Sequence, residues 1–257
     1  MINYPSPITI EGTKKILTQM KTCIYRIDEY NGVGFFCILP YKKKNEQLKV
    51  FITNYHIINQ NFIKNNRIIK ISLNDNEKKN IYIPLDDDRK IFLDEEYDMT
   101  IIEIKENDEL YKHNNYLEID IDINQIDEKL KLNDNSIYCI DYSNLNRKLV
   151  SFGVIKGAND NNIDYLCNIN IDSSNILIFN LLNNKIIGLH KETLTNNCHK
   201  GICLNYIIDK FNKNNEIKFT VKIEKEDLNK NIYFLDNTDK LLDENEGFII
   251  HNEHGIK

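Results

Sequence analysis

A histidine, an aspartate and two adjacent serines follow one another along this chain in an order that suits nucleophilic catalysis. His56 lies in the segment Thr-Asn-Tyr-His-Ile-Ile, Asp98 in Tyr-Asp-Met-Thr-Ile-Ile, and Ser173 and Ser174 come later. A serine attacks a carbonyl when a base takes its proton and an acid orients that base. Backbone N–H groups must also stabilise the developing oxyanion. These residues therefore raise the question of acyl transfer.

Short β-strands separated by polar turns must position these side chains. The apolar runs are rich in Ile, Val, Tyr and Phe, and clusters of Asn, Asp, Gly and Lys separate them. Many strands at this spacing are typical of an all-β sandwich or barrel. The predicted strands are Thr22–Ile27, Val33–Leu39, Lys49–Thr53, Arg67–Ser72, Asn80–Ile83, Met99–Ile104, Ser136–Ile140, Leu149–Ile155, Asp164–Ile169, Ile176–Asn180 and Lys185–His190.

Helix is expected in two places only. Glu11–Met20 is predicted as an N-terminal helix, and Leu204–Asn212 has apolar residues at helical spacing. Lys218–Ile223 and Asn231–Leu235 alternate like a hairpin, which predicts a small β-rich C-terminal extension.

Composition indicates a globular chain without a preference for polyanions. The 257 residues are 41% hydrophobic and 28% charged, with a net charge of −6 and a pI of about 5.6. This charge gives no general attraction to nucleic acid or to an anionic membrane, so neither is expected as a partner. The sequence shows neither a signal peptide nor a membrane-spanning run, so a cytoplasmic or otherwise intracellular location is expected.

The cysteines and histidines give no reason to expect a cofactor. The six cysteines form no Cys-x-x-Cys pair, and in a reducing compartment they are expected to be thiols. His190, Cys198, His199 and Cys203 lie close in sequence, but their spacing matches no common zinc pattern. We therefore predict no metal site.

Taken together, the segments resemble the trypsin-like serine peptidases, which have the chymotrypsin fold. Gly32–Cys37 (Gly-Val-Gly-Phe-Phe-Cys) resembles a first-barrel strand of that family, and it precedes the segments of His56 and Asp98 at a suitable distance. Asn180–His190 resembles the hairpin that follows the catalytic serine. The resemblance covers about residues 21–211. It implies a double six-stranded β-barrel over 10–213 with a short C-terminal helix, followed by the small extension over 214–257.

The segment before that hairpin departs from the family pattern. The pattern Gly-Ser-Ser-Gly-Ser-Pro-Ile is matched without a gap by Asp172–Ile178, which reads Asp-Ser-Ser-Asn-Ile-Leu-Ile. With the nucleophile taken at position 176, Ile176 replaces the serine, and its side chain is expected to face His56. Asn175 and Ile176 then occupy the oxyanion-hole positions, where the Cβ of Asn175 would crowd the site. This interpretation predicts a catalytically inactive homologue, a pseudoprotease.

Other residues could attack, and other functions remain open. Ser174 is the alternative nucleophile of an active endopeptidase with His56 and Asp98, whereas Cys167 is expected inside a barrel strand. An inactive homologue could bind a peptide or protein in the former substrate cleft. In a third interpretation, the C-terminal extension is the working part of an interaction domain. The oligomeric state is left open.

His190 is a candidate specificity residue. The segment Ile-Gly-Leu-His that ends at His190 resembles the glutamyl endopeptidases. In that branch a histidine at this place lines the primary specificity pocket and meets an acidic side chain. The resemblance therefore implies an acidic-peptide groove, and the alternative is a residue packed near the surface.

Overall fold

The computed structural model describes residues 4–27, 32–41, 46–73, 80–120, 136–143, 147–158, 161–169, 176–195, 197–214, 233–235, 241–243 and 249–250. The chain divides into two compact units, Met1–Thr220 and Val221–Lys257. The first unit contains both large sheets. The domain boundary at residue 213 inferred from sequence stays a prediction.

Strands β1 to β8 form the first sheet. Seven strands are hydrogen-bonded in the order β5-β4-β1-β2-β3-β7-β6, and the short β8 pairs in parallel with β2. Within the described residues this sheet is an open half-barrel rather than a closed one. The strands are β1 Ile24–Ile27, β2 Gly32–Pro40, β3 Gln47–Thr53, β4 Ile68–Ser72, β5 Asn80–Pro84, β6 Ile91–Asp94, β7 Met99–Glu103 and β8 Leu117–Glu118.

Strands β9 to β14 form a closed barrel, in the order β10-β11-β14-β13-β12-β9. Its interior is a cluster of buried aliphatic, cysteine and tyrosine side chains contributed by all six strands. The all-β double-barrel fold predicted from sequence is confirmed; this barrel has the six strands expected, whereas the first half is a half-barrel of eight described strands. The strands are β9 Ser136–Ser143, β10 Arg147–Ala158, β11 Asn162–Cys167, β12 Leu177–Asn180, β13 Ile186–Thr195 and β14 Cys198–Cys203.

Among the described residues, three α-helices flank the sheets. Helix α1 (Ile10–Thr22) is capped by Thr9, whose hydroxyl oxygen accepts the N–H of Gly12. Helix α2 (Gln60–Asn65) follows the His56 segment, and helix α3 (Leu204–Asn214) follows β14 directly. A 3-10 turn covers Glu109–Lys112. The two helices predicted from sequence are present with slightly longer bounds.

A second hydrophobic core joins the two halves through alternate residues of β12. Leu177 and Phe179 pack in the cluster that includes Phe35 and Ile52 of the first sheet. Ile178, between them, packs in the interior of the closed barrel. Successive side chains of a strand point to opposite faces, so one short strand supplies both cores.

Helix α1 is attached to the second barrel. Gln19 is buried; its side-chain amide donates to the carbonyl oxygen of Asn184 at 2.7 Å. Its Oε1 accepts the hydroxyl of Tyr138 at 2.6 Å. These bonds satisfy a polar side chain that would otherwise destabilise the core.

The cysteines are free thiols, and five of the six are buried, with Cys198 partly exposed. Three short antiparallel strands are described in the second unit: β15 Tyr233–Leu235, β16 Leu241–Asp243 and β17 Ile249–Ile250. The predicted strand Lys218–Ile223 lies outside the described residues. Within the described ranges, no helix has the length and apolar character to span a membrane.

Candidate active site

His56 lies in a turn between β3 and α2. The turn is closed by the backbone carbonyl oxygen of Asn54, which accepts the N–H groups of Ile57 at 3.2 Å and Ile58 at 3.1 Å. Strand β3 ends at Thr53, whose buried hydroxyl donates to the carbonyl oxygen of Val33 at 2.8 Å. The turn that carries His56 therefore starts directly after a strand end that is fixed by a buried hydrogen bond.

Asp98 lies in the turn between β6 and β7. Its φ of 50° is in the left-handed region, which aspartate tolerates better than most residues. The turn is held by Asp94, whose Oδ1 accepts the N–H of Tyr97 at 3.0 Å. On the far side, the ammonium of Lys210 in α3 lies 2.9 Å from Asp94 Oδ2 and 4.5 Å from the centre of the Tyr97 ring.

His56 and Asp98 form the pair expected from sequence. Nδ1 of His56 lies 2.7 Å from Asp98 Oδ2, and the backbone N–H of His56 donates to Asp98 Oδ1 at 2.8 Å. An ionised carboxylate only accepts hydrogen bonds, so Nδ1 carries the proton. The neutral imidazole then has Nε2 as its acceptor nitrogen, which is the state a general base requires.

The pair shifts both pKa values in the direction that keeps it charged. The hydrogen bond that His56 donates to Asp98 raises the pKa of His56 above its ordinary value, against a smaller effect of burial. Burial alone would raise the pKa of Asp98, but the hydrogen bonds from His56 and Asn54 outweigh it and lower this pKa. Both side chains remain nearly half exposed, at 48% and 44%, so the base is open to a substrate.

Ile176 lies in the core of the second barrel. Its side chain is fully buried and belongs to the interior cluster with Ile178. Its carbonyl oxygen accepts the N–H of His190 at 2.9 Å, which extends the pairing of β12 with β13. The orientation of Ile176 toward His56 expected from sequence stays a prediction; the structure places Ile176 in the interior cluster of the second barrel. Alternation along β12 gives the reason, since residues 176 and 178 share the inward face.

The start of β12 nevertheless lies beside the segment that leads to His56. Ile176 and Leu177 line one narrow space together with Asn54 and Thr53. The segment that precedes Ile176, with Ser174 and Asn175, lies outside the described residues. The His56 segment thus belongs to the first sheet, and the strand after the two serines belongs to the second barrel.

His190 lies on β13 in a network of aromatic and imidazole side chains. Its Nδ1 is 2.8 Å from the hydroxyl of Tyr165, and its ring centre is 5.6 Å from that of the buried His199. Nε2 of His199 donates to the carbonyl oxygen of Cys167 at 2.9 Å, and its Nδ1 is 3.1 Å from the hydroxyl of Thr193. His199 is therefore a structural residue that sequence reasoning did not assign.

Burial keeps His190 neutral. Burial, together with the neighbouring His199, lowers the pKa of His190 to about 4, although Glu192 acts in the opposite sense. Burial also lowers the pKa of His199. A neutral imidazole has one donor and one acceptor nitrogen. Where the Tyr165 hydroxyl donates to Nδ1, the Nε2–H of His190 is the remaining donor.

Two further observations concern the surroundings of the site. A cavity of about 530 Å³ lies between the start of α1 and the β12–β13 hairpin, and none of its lining residues belongs to the His56–Asp98 pair. Among the described residues, no cluster of three or more His, Cys, Asp or Glu side chains could hold a metal ion.

Two solved structures of the Rv3671c protease have a similar fold. An inactive serine-to-alanine mutant of Rv3671c from M. tuberculosis H37Rv matches with a TM-score of 0.53 and 11% identity, over 83% of this chain and 95% of that one. An inactive form of the Rv3671c protease matches with a TM-score of 0.53 and 13% identity, over 83% and 98%. No family model and no curated protein sequence matches the chain. The chain therefore has a chymotrypsin-like fold.

Proposed function

We propose that this protein is a serine endopeptidase in which Ser174 is the nucleophile, His56 the general base and Asp98 the residue that orients it. The observation that carries the proposal is the burial of Ile176 in the barrel interior. Position 176 is occupied by a side chain of the barrel interior, so we place the nucleophile at the nearest serine along the chain, Ser174. The absence of serine at position 176 is therefore not evidence that the nucleophile is missing.

The motif supports Ser174 once position 176 is set aside. Asp172–Ile178 retains two of the three serines of the pattern Gly-Ser-Ser-Gly-Ser-Pro-Ile, namely Ser173 and Ser174. Ser174 is two residues from Ile176, and His56 is two residues from Asn54, which lines the same narrow space as Ile176. Two residues span at most about 7 Å.

The reaction follows from the protonation state of the pair. Nε2 of His56 takes the proton of the Ser174 hydroxyl as Oγ bonds to the scissile carbonyl carbon, and the carbonyl π pair moves to its oxygen. When the tetrahedral intermediate collapses, the amine leaves with the proton from His56. Water then attacks the acyl group by the same route, which releases the acid and restores Ser174. Asp98 stabilises the imidazolium formed in both steps and remains ionised.

A second candidate function is peptide binding without catalysis, the pseudoprotease of the sequence interpretation. It is favoured by Asp172 and Asn175, which replace both glycines of the pattern. Glycine permits close approach of a substrate backbone, and a Cβ at these positions would obstruct the oxyanion hole. In this case the cleft beside His56 would bind a peptide or protein ligand without cleaving it.

We further propose that His190 contributes to recognition of an acidic side chain, in the manner of the glutamyl endopeptidase branch. The support is its place on β13, where its backbone N–H donates to the carbonyl oxygen of Ile176, and its hydrogen bond to Tyr165. A neutral imidazole with a free N–H can donate to a carboxylate. The acidic-peptide groove applies to either candidate function.

Labelling with a fluorophosphonate probe tests the two candidates. An active enzyme labels in the natural sequence, and Ser174→Ala abolishes labelling whereas Ser173→Ala retains it. Ile176→Ser alone should lower stability without creating a new labelling site. If only the double variant Asn175→Gly, Ile176→Ser labels, and Ser174→Ala leaves its labelling intact, the nucleophile belongs at position 176 and the endopeptidase proposal is wrong.

A further inference from the structure

The carboxylate of Asp98 has a second side-chain donor besides His56. The amide nitrogen Nδ2 of Asn54 lies 3.0 Å from Asp98 Oδ2 and 3.4 Å from the backbone carbonyl oxygen of Asp98. Oδ2 thus accepts from two side chains, and Oδ1 accepts the backbone N–H of His56. We propose that Asn54 is a positioning residue that holds the Asp98 carboxylate and the His56 turn in one frame. Its importance for catalysis rests on the proposed function, whereas its geometry does not.

The backbone of Asn54 completes this frame. Its carbonyl oxygen accepts the N–H groups of Ile57 and Ile58, which closes the turn that carries His56. The same residue therefore binds both partners, one through its main chain and the other through its side-chain amide. Because Asn54 is bonded to both turns, the separation of His56 and Asp98 is maintained when the turns move. A base and its orienting acid require such a fixed separation.

The chemistry of the side chain explains why an amide suits this place. The Nδ2 group donates only, so it stabilises a carboxylate and cannot compete for the proton of His56. An aspartate here would place a second negative charge against Asp98, and an alanine would leave Oδ2 with one donor fewer. Near the turn that carries Asp98, Lys210 of α3 pairs with both Asp94 and Glu96, at 2.9 and 3.2 Å. Among the described side chains, His56 and Asn54 are thus the donors to Asp98.

The test is the titration of the Asp98 carboxyl carbon by ¹³C NMR in the full chain. Two or three hydrogen bonds lower a carboxyl pKa by about two pH units in total, so Asn54→Ala should raise the pKa of Asp98 by about 0.5 to 1. Asn54→Asp is nearly isosteric and should raise it further. The matched control is Asn59→Ala, which removes the side-chain cap of α2 at Phe62 and should leave Asp98 unchanged.

An Asp98 titration in Asn54→Ala and Asn54→Asp that matches the natural sequence would overturn the proposal. So would an equal shift in Asn59→Ala, because the effect would then be general destabilisation. The fluorophosphonate labelling rate provides the catalytic readout and should fall about 10-fold or more in Asn54→Ala. If the natural protein does not label, the endopeptidase function fails while the Asp98 titration still decides the role of Asn54.

Discussion

The hydroxyl of Thr100 donates a hydrogen bond to the backbone carbonyl oxygen of Ile58 across 2.6 Å. Both residues are fully buried. Thr100 lies two residues after Asp98 on β7, and Ile58 lies two residues after His56. This buried bond therefore joins strand β7, which follows Asp98, to the turn that carries His56.

Thr100→Val should destabilise the protein and loosen the pair. Valine has the same shape but leaves the carbonyl oxygen of Ile58 buried without its donor, which costs about 1–3 kcal/mol. Urea unfolding measures this cost. Thr18→Val is the control. The hydroxyl of Thr18 donates to the backbone carbonyl oxygen of Lys14 on the exposed surface of α1, where water can replace it. Equal unfolding midpoints for the two variants would show that the buried bond contributes nothing special.

Labelling by the probe should increase with pH through the raised pKa of His56. The base must be neutral, so the rate is low below this pKa and reaches a plateau above it. NMR titration of the imidazole should give a pKa above the ordinary 6.5. Asp98→Asn should bring this pKa down and reduce labelling about 10⁴-fold. A His56 titration that is indifferent to Asp98→Asn would contradict the pair described here.

The same two shifts predict how the pair contributes to stability as pH changes. The raised pKa of His56 gives a contribution that is present below about pH 6.5 and lost as pH rises through the folded-state value. The lowered pKa of Asp98 gives one that is present above about pH 4 and lost as pH falls through its folded-state value. Exposure keeps both small. Unfolding of the natural chain and Asp98→Asn across pH 3 to 8 should therefore differ most between these limits.

Two glycines on β10 should respond oppositely to alanine. A Cβ at Gly153 would lie 2.1 Å from the backbone carbonyl oxygen of Leu166 on β11, so a strand must move. Gly153→Ala should cost roughly 1–3 kcal/mol or more. Gly157, on the same strand, has no atom within 4 Å of its would-be Cβ, and Gly157→Ala should be neutral or stabilising by up to about 1 kcal/mol. Thermal unfolding of both variants provides the comparison, and similar midpoints would contradict the close strand approach.

His190→Phe should change ligand preference without changing the base. Peptides with a glutamate at the recognised position should lose binding or cleavage, whereas the matched glutamine peptides should change little. Because the pKa of His190 is about 4, the natural preference should persist from pH 5 to 8. The labelling rate by the small probe is the internal control. A glutamate preference that survives in His190→Phe would remove this residue from specificity.

Most strands could be predicted from β-branched and aromatic runs, and those that were missed have identifiable causes. Strand β14 reads Cys-His-Lys-Gly-Ile-Cys, which has little β propensity, yet it is paired on both sides by β11 and β13. Strand β6 has four residues only and follows the charged Arg89-Lys90. Helix α2 lies in an asparagine-rich segment that resembles a loop, and its cap Asn59 is what starts it.

The candidate site was predictable in part, for a related reason. His56 and Asp98 stand in motifs whose order is informative, so the pair followed from sequence. The burial of Ile176 in the barrel interior could not be predicted. The register of a residue at the start of a strand is unknown until the pairing strands are known, and a shift of one residue turns every side chain to the opposite face. Asn54 lay within the quoted motif, but its bond to Asp98 spans 44 residues and has no signature along the chain.

Helix α1 is synthesised before every other described element, yet its buried Gln19 finds its partners on Tyr138 and Asn184, more than a hundred residues later. Local contacts form quickly, and contacts of high sequence separation form slowly. During synthesis, the face of this helix that carries Gln19 therefore stays exposed to water until the second barrel has formed. Helix α1 is thus expected to be the last described element of the first unit to gain protection in refolding followed by hydrogen exchange, although it precedes both sheets along the chain.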